Sequence, residues 1–195
     1  MKMKKLMALL LALVMMLAMV ACGKGDDKTD DRPLSEQIVG KWAGTVAVSG
    51  EKMELPSFTG SLELKVEYTF NADGTGGAKL DIDAYKASVE ANRQALCDAL
   101  VQLMITTAGS REAAESNVKA QTNMTLEQFA NSSVDTLKTS MPADLEEDGE
   151  WTLEGDKLTV GELVATVSID GDKMTWTGSE LEEELGVSSV VFNRV

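Results

Sequence analysis

Apolar and polar residues alternate strictly along residues 61–70, SLELKVEYTF. In an extended chain, side chains two residues apart lie on the same face, so the apolar positions of this segment would share one face. A strand with one buried and one solvated face is typical of an antiparallel sheet or of a barrel wall. The segment is therefore predicted to be a strand whose apolar face is Leu62, Leu64, Val66, Tyr68 and Phe70.

The same alternation recurs in both halves of the chain and predicts eight strands. Asp-Gly and Gly-Asp pairs separate several of them, and such pairs favour the turns of β-hairpins. Eight short antiparallel strands joined by hairpins fit a small up-and-down barrel, whether fully closed or partly open. We expect a mainly antiparallel α+β fold with strands at about 41–49, 60–70, 75–83, 149–154, 157–161, 163–169, 173–178 and 187–195.

Between the third and fourth strands, at about 84–148, the periodicity is helical. Gly109 and Ser110 mark the end of one helix and the start of the next, and residues 125–128 form a capping-box sequence. Residues 96–105 are apolar on most sides of a helix, so this helix should pack against two partners. We expect a three-helix segment inserted into the barrel.

The first predicted hairpin, FNADGTGGAKLDID at 70–83, has a partial resemblance to a calcium loop. Asn71, Asp73 and Thr75 occupy the first ligand positions of an EF-hand register, but Ile82 stands where a bidentate glutamate is required. Alternating strands also flank the loop in place of helices. The segment is therefore predicted to be a turn, and no metal site is expected.

The first residues have the pattern of an export signal. Three lysines among the first five residues precede an apolar run at 6–20, which is shorter than the ~20 residues of a membrane-spanning helix. The sequence MVAC, ending at Cys22, resembles the lipobox of bacterial lipoproteins, which implies that Cys22 is acylated and becomes the mature N-terminus. An ordinary signal peptide with an incidental cysteine is the alternative. We expect a signal peptide at 1–21, a flexible tether at 22–34 and a folded domain at 35–195.

The net charge of the chain restricts the kinds of partner that it can bind. The chain has a net charge of −14, and after residue 21 its 15 basic residues face 32 acidic ones, a net charge of −17. Such a surface repels nucleic acid and anionic lipid, so a membrane contact would depend on the N-terminal lipid. The predicted location is the extracytoplasmic side of a bacterial cell membrane.

Two short motifs indicate a family. The sequence Gly40-Lys41-Trp42 opens the first strand, and Arg194 lies on the last one. This arrangement resembles the lipocalin (calycin) pattern, especially that of minimal bacterial lipocalin-like domains, and covers about 35–83 and 149–195. The resemblance implies that Arg194 packs across Trp42 and closes one end of the barrel, as a structural pair. The helical insert departs from the family.

Little in the chain favours catalysis. There is no histidine, which excludes Ser-His-Asp and Cys-His nucleophiles and the usual zinc sites. Cys97 lies in an apolar helical run and is expected to be a buried, inert thiol. The acidic runs at 146–148 and 182–184 are expected to be solvated faces. We expect no enzyme activity and no cofactor.

Two functions of different class remain. The first is a lipid-anchored barrel that binds a small apolar or amphipathic ligand. The second is a structural or interaction lipoprotein with a filled barrel, whose protein partner would bind an apolar stripe on the third helix, at Leu126, Phe129, Val134 and Leu137. For the first function, the candidate lining residues are predicted to face the barrel interior, although core packing is the simpler interpretation of each. They are Leu64, Val66, Tyr68, Leu80, Trp151 and Trp176.

Overall fold

A computed structural model describes residues 32–142 and 146–195 of the chain. The predicted signal peptide, Cys22 and the tether up to residue 31 lie outside the described residues, so the prediction of lipidation at Cys22 stays a prediction.

The described residues contain a closed barrel of eight antiparallel strands, each hydrogen-bonded to its neighbours in sequence order. The last strand pairs with the first, with Trp42 opposite Arg194 and Gly44 opposite Phe192. This confirms the predicted antiparallel barrel and shows that it is closed. The strands are β1 Gly40–Ser49, β2 Ser61–Phe70, β3 Thr75–Leu80, β4 Glu146–Glu154, β5 Lys157–Val160, β6 Leu163–Asp170, β7 Lys173–Thr177 and β8 Ser189–Arg194.

The boundary between barrel and insert differs from the prediction on both sides. Strand β3 ends at Leu80, and Ile82 begins a helix, although Ile82 is in phase with the strand. Strand β4 begins at Glu146, because residues 146–148 pair with residues 77–79 of β3. The acidic run at 146–148 is therefore the start of a strand and does not belong to the helical insert.

The chain divides into two compact units. Within the described residues, the barrel unit comprises 32–46, 64–81 and 146–195, and the helical unit comprises 47–63 and 82–142. The end of β1, the start of β2 and the loop between them are thus grouped with the helices.

Two short helices belong to the barrel unit: α1, Leu34–Gln37, and α6, Ser179–Leu185. Helix α6 was not predicted from the sequence, and its acidic run at 182–184 was expected to be only a solvated face. Leu181 and Leu185 of α6 are buried, and the Glu180 carboxylate accepts a hydrogen bond of 2.7 Å from the backbone N–H of Val164 in β6.

The helical unit contains four helices in its described part, where three were expected. They are α2 Ile82–Ala91, α3 Arg93–Ala108, α4 Arg111–Thr122 and α5 Leu126–Thr139. The additional break falls at Asn92, whose side-chain amide donates to the carbonyls of Ser88, at 2.9 Å, and Ser61, at 3.3 Å. Asparagine side chains that bond to nearby backbone compete with helical hydrogen bonding, and this accounts for the break.

The helix ends follow the capping signals of the sequence. Gly109 ends α3 with a φ of 83°, and the Ser110 hydroxyl accepts a hydrogen bond from the N–H of Ala113 at the start of α4. Thr125 and Gln128 form both hydrogen bonds of a capping box at the start of α5. These contacts satisfy backbone groups that a helix end leaves unpaired.

The apolar stripe predicted on the third inserted helix lies on α5. Leu126 and Val134 are fully buried, while Phe129 and Leu137 are half-buried. Helix α5 packs against α2, α3 and α4, so the stripe has partners within the helical unit. Along α3 the residues near its start are buried, whereas Leu103, near its end, has 37% of its surface exposed. Helix α3 contacts both α4 and α5, so the predicted packing against two partners is confirmed, although Leu103 remains exposed.

Candidate ligand-binding site in the barrel interior

Trp42, near the start of β1, and Arg194, at the end of β8, lie opposite each other and are in contact. The Arg194 guanidinium carbon lies 4.2 Å from the centroid of the Trp42 ring. Its two terminal nitrogens donate to the carbonyls of Gln37, at 2.7 Å, and Val39, at 3.1 Å. The Trp42 indole N–H donates to the carbonyl of Ile38 at 2.7 Å. Both side chains are thus held by the segment that leads into β1, which suits a structural role.

The six candidate lining residues are all buried within the barrel unit. Three of them are aliphatic and lie on adjacent strands, with Val66 of β2 directly opposite Leu80 of β3 and Leu64 two positions earlier on β2. We call these three the aliphatic wall. The other three are the aromatic residues Tyr68, Trp151 and Trp176.

The aromatic residues lie in a larger group that we call the aromatic cluster. Two of its members, Phe70 and Phe192, were not among the candidate lining residues. Phe70 continues the inward phase of Tyr68, and Phe192 shares the buried face of β8 with Val190, so a signal for both was present. The cluster is Tyr68, Phe70, Trp151, Trp176 and Phe192, with ring centroids of contacting pairs 4.8–6.3 Å apart.

Tyr68 and Trp176 contact each other across the barrel interior. They belong to β2 and β7, and β1 and β8 lie between these two strands in the barrel. Their ring centroids are nevertheless only 5.0 Å apart, and Phe192 of β8 contacts both rings. Large side chains therefore meet inside the barrel at this level, two residues along β2 from the aliphatic wall.

Two polar atoms of the aromatic cluster have no hydrogen-bond partner among the described residues. They are the Tyr68 hydroxyl and the Trp176 indole N–H, on side chains that are only 2% and 1% exposed. Trp151 differs, because its indole N–H donates to the carbonyl of Thr75 at 2.9 Å. Burial raises the pKa of the Tyr68 hydroxyl well above its usual range, so this group stays protonated and able to donate.

The rest of the described core is apolar. Apart from the buried tyrosines, tryptophans and Cys97, Asn71 is the one buried polar side chain among the described residues, and its amide donates to the carbonyl of Thr75 at 2.9 Å. No charged side chain is buried in the described part of the chain. A ligand in the interior would therefore meet apolar surface and two uncharged donors.

The β2–β3 turn has the geometry of a hairpin. The Asp73 carboxylate accepts hydrogen bonds from the backbone N–H of Thr75, at 3.0 Å, and from its hydroxyl, at 2.6 Å. These hydrogen bonds lower the pKa of Asp73. Across the described residues, no group of three or more histidine, cysteine or acidic side chains is arranged to hold a metal ion.

Cys97 lies on α3 in the helical unit and is buried. Burial raises the pKa of its thiol, which lowers the fraction of the reactive thiolate.

No protein-family profile, curated protein or solved structure matches this chain. The resemblance to the lipocalins therefore rests on its short motifs, and the closed eight-stranded barrel is consistent with that fold. None of the helices in the described part of the chain has the length and apolar character needed to cross a membrane.

Proposed function

We propose that this protein is a lipid-anchored, extracytoplasmic lipocalin-like protein that binds a small amphipathic ligand inside its barrel. The observation that carries the proposal is the pair of buried, unpartnered donors on Tyr68 and Trp176. A buried polar group without a partner costs about 1–3 kcal/mol, and native proteins leave few such groups. An acceptor on a bound molecule would remove this cost for both side chains.

The surroundings of the two donors fit an amphipathic molecule. The aliphatic wall offers Leu64, Val66 and Leu80 to an apolar body, and Tyr68 follows Val66 on the same face of β2. Eight-stranded barrels have interiors that side chains can fill or that hold one small ligand. The proposal includes no catalytic step, because the chain has no histidine and its second cysteine is buried.

Ligand binding is tested by recovering the molecule. The full chain is purified from its cells in lipid nanodiscs, analysed by native mass spectrometry and then extracted with organic solvent. We expect a bound small molecule at up to one per chain, which is lost or reduced in the Tyr68→Phe and Trp176→Phe variants. The Trp151→Phe variant is the matched control, because its N–H already has a protein acceptor. A wild-type chain that carries no added mass and binds no apolar probe would refute ligand binding.

A filled barrel with a protein partner is the second candidate function. It is favoured by the contact of Tyr68 and Trp176 across the interior, since rings that meet there leave less room for a ligand. In that case Tyr68→Phe should stabilise the ligand-free protein, because removing an unsatisfied buried hydroxyl removes its cost. Cross-linking in intact cells would then identify a protein partner and no small molecule.

The lipid anchor is tested separately. Cys22 should incorporate labelled palmitate and hold the protein in the membrane fraction, because two acyl chains provide stable anchoring. Cys22→Ser should abolish both the label and the membrane association. Cys97→Ser is the matched control, since it changes the only other cysteine and should leave both unchanged. Label retained in the Cys22→Ser variant would contradict anchoring at this residue.

A further inference from the structure

We infer that the polar end of the ligand is an uncharged hydrogen-bond acceptor, of the ester or amide carbonyl class, which accepts from Tyr68 and Trp176. This inference rests on the proposed function and adds the chemical class of the ligand. Both side chains are buried in the same aromatic cluster, with ring centroids 5.0 Å apart, and neither donor has a partner among the described residues.

The Tyr68 hydroxyl and the Trp176 indole N–H favour an acceptor on the ligand because of the hydrogen bonds that each can form. An indole N–H can only donate. A tyrosine hydroxyl can donate or accept, but burial opposes loss of its proton, so no phenolate is available to accept from a ligand or to pair with a cation. A ligand ammonium group would find one neutral acceptor, the Tyr68 oxygen, but no buried anion among the described residues to balance its charge. A ligand hydroxyl oxygen could also accept both bonds, but its own hydrogen would then need a further acceptor. A carbonyl oxygen accepts both bonds and carries no hydrogen of its own.

The absence of a described buried cation argues against a carboxylate. An ionised carboxylate in an apolar interior needs a paired charge, and the described core contains no charged side chain. In the barrel unit, Arg194 already contacts the Trp42 ring and donates to the carbonyls of Gln37 and Val39. The interior should therefore discriminate against free fatty acids and in favour of their neutral derivatives.

The test compares head groups on one apolar chain. Methyl decanoate, decanoate, decylamine and decane are each added at neutral pH to the full chain in lipid nanodiscs, where decanoate is ionised and decylamine is protonated. Bound probe is quantified by native mass spectrometry, and empty nanodiscs correct for partitioning into lipid. We expect methyl decanoate to bind at least tenfold more tightly than the other three probes.

Variants then test whether Tyr68 and Trp176 donate to the ligand. Tyr68→Phe and Trp176→Phe should each weaken binding of methyl decanoate by about fivefold or more, as expected for loss of one hydrogen bond. Decane has no polar atom, so in both variants the ratio of the ester affinity to the decane affinity should fall. Trp151→Phe changes the lining without removing an unpartnered donor, so it should affect both probes alike and leave this ratio unchanged. If a variant fails to fold, the comparison of head groups on the wild-type chain still decides the question.

The outcomes separate this inference from the proposed function. If none of the four probes binds, the proposed function fails and the inference fails with it. If probes bind but decanoate or decane binds as tightly as the ester, the barrel is a ligand site and the inference about the head group is wrong. The same conclusion follows if Tyr68→Phe and Trp176→Phe behave like Trp151→Phe, since ordered water would then satisfy the two donors.

Discussion

The guanidinium of Arg194 lies over the indole of Trp42, with its central carbon 4.2 Å from the ring centroid. The two residues are directly opposite each other on β1 and β8, the pair of strands that closes the barrel. The same guanidinium donates to the carbonyls of Gln37 and Val39, just before β1. One side chain thus connects the end of the last strand to the segment that precedes the first.

Substitution of Arg194 should therefore destabilise the barrel. Arg194→Ala removes two hydrogen bonds from a charged donor and the contact with Trp42, and we expect a loss of about 2–3 kcal/mol in the free energy of unfolding. Arg194→Lys keeps the charge but not the planar fork, so it should lose about half as much. Urea unfolding followed by circular dichroism measures both values.

Arg111→Lys is the control for this prediction. Arg111 is half-exposed and pairs with Glu115 and Glu127 on the helical surface. Exposed ion pairs contribute about 0–1 kcal/mol, so this variant should remain close to the wild type. Equal losses for Arg194→Lys and Arg111→Lys would show that the barrel does not depend on the contact with Trp42.

Gly44 is predicted to be intolerant of a side chain. A Cβ at this position would lie 2.5 Å from Cδ1 of Phe192 and 2.6 Å from the carbonyl oxygen of Val191. Because one of these atoms is backbone, β1 and β8 would have to separate. We expect Gly44→Ala to lower the free energy of unfolding by about 1–3 kcal/mol, and to alter the near-ultraviolet circular dichroism of the aromatic cluster.

Gly171→Ala provides the comparison. A Cβ there would meet no atom within 4 Å, although the φ of 57° disfavours alanine. Its cost should be about 1 kcal/mol and should leave the aromatic signal unchanged. If Gly44→Ala is as stable as the wild type, β1 does not pack as closely on Phe192 as this prediction requires.

The barrel could be predicted because its strands carry a local signal. Alternation along residues 61–70 fixes which side chains point inward, and the Asp-Gly turns fix where strands reverse. The signal is weaker at residues whose position in the pattern fits a strand and a helix equally well. Ile82 continues the strand phase but begins α2, and Asn92 interrupts what the apolar periodicity presents as one helix.

The candidate site could be predicted only in part. The inward phase of Tyr68 and Trp176 is a property of each strand, and both are buried as that phase requires. Their contact depends on barrel closure, which brings β2 and β7 together across the interior. The absence of a described partner for either donor depends on every neighbouring side chain and backbone group. No local pattern along the chain contains that information.

Tyr85 in the helical unit should link stability to pH at the alkaline end. Its hydroxyl donates to the carbonyl of Leu137 at 3.0 Å, joining α2 to α5. Tyr85→Phe should therefore lower the free energy of unfolding by about 1 kcal/mol at neutral pH. Burial raises the pKa of Tyr85 to about 12 from an ordinary value of 10.0, although a hydrogen bond with Ser140 opposes this shift.

The sign of the pH dependence follows from these values. Above the ordinary pKa of 10.0 the unfolded chain loses the Tyr85 proton while the folded chain keeps it. The stabilisation is thus fully present below that pH and is lost as the pH rises toward about 12. Urea midpoints of wild type and Tyr85→Phe, measured in steps across this range, should converge. A constant difference between the two proteins would contradict a raised pKa.

Glu90 should make the stability of the helical unit depend on pH in the acid range. Its carboxylate bonds to Arg93 at 2.9 Å and to Lys138 at 2.7 Å, linking the end of α2 to α3 and α5. The hydrogen bonds from Arg93 and then Lys138 lower the pKa of Glu90 from 4.5 to about 2. Because the folded state holds the carboxylate ionised, its contribution is present above the ordinary pKa and is lost as the pH falls toward about 2.

Glu90→Gln isolates this contribution. The variant should be slightly less stable than the wild type at neutral pH, and the difference should vanish as both proteins are titrated into acid. The effect should be small and should shrink in high salt, because Glu90 is exposed and its interactions are screened. Urea midpoints at low and high salt measure it. A difference that persists unchanged in strong acid would mean that Glu90 acts through packing, and that its charge is not what joins the three helices.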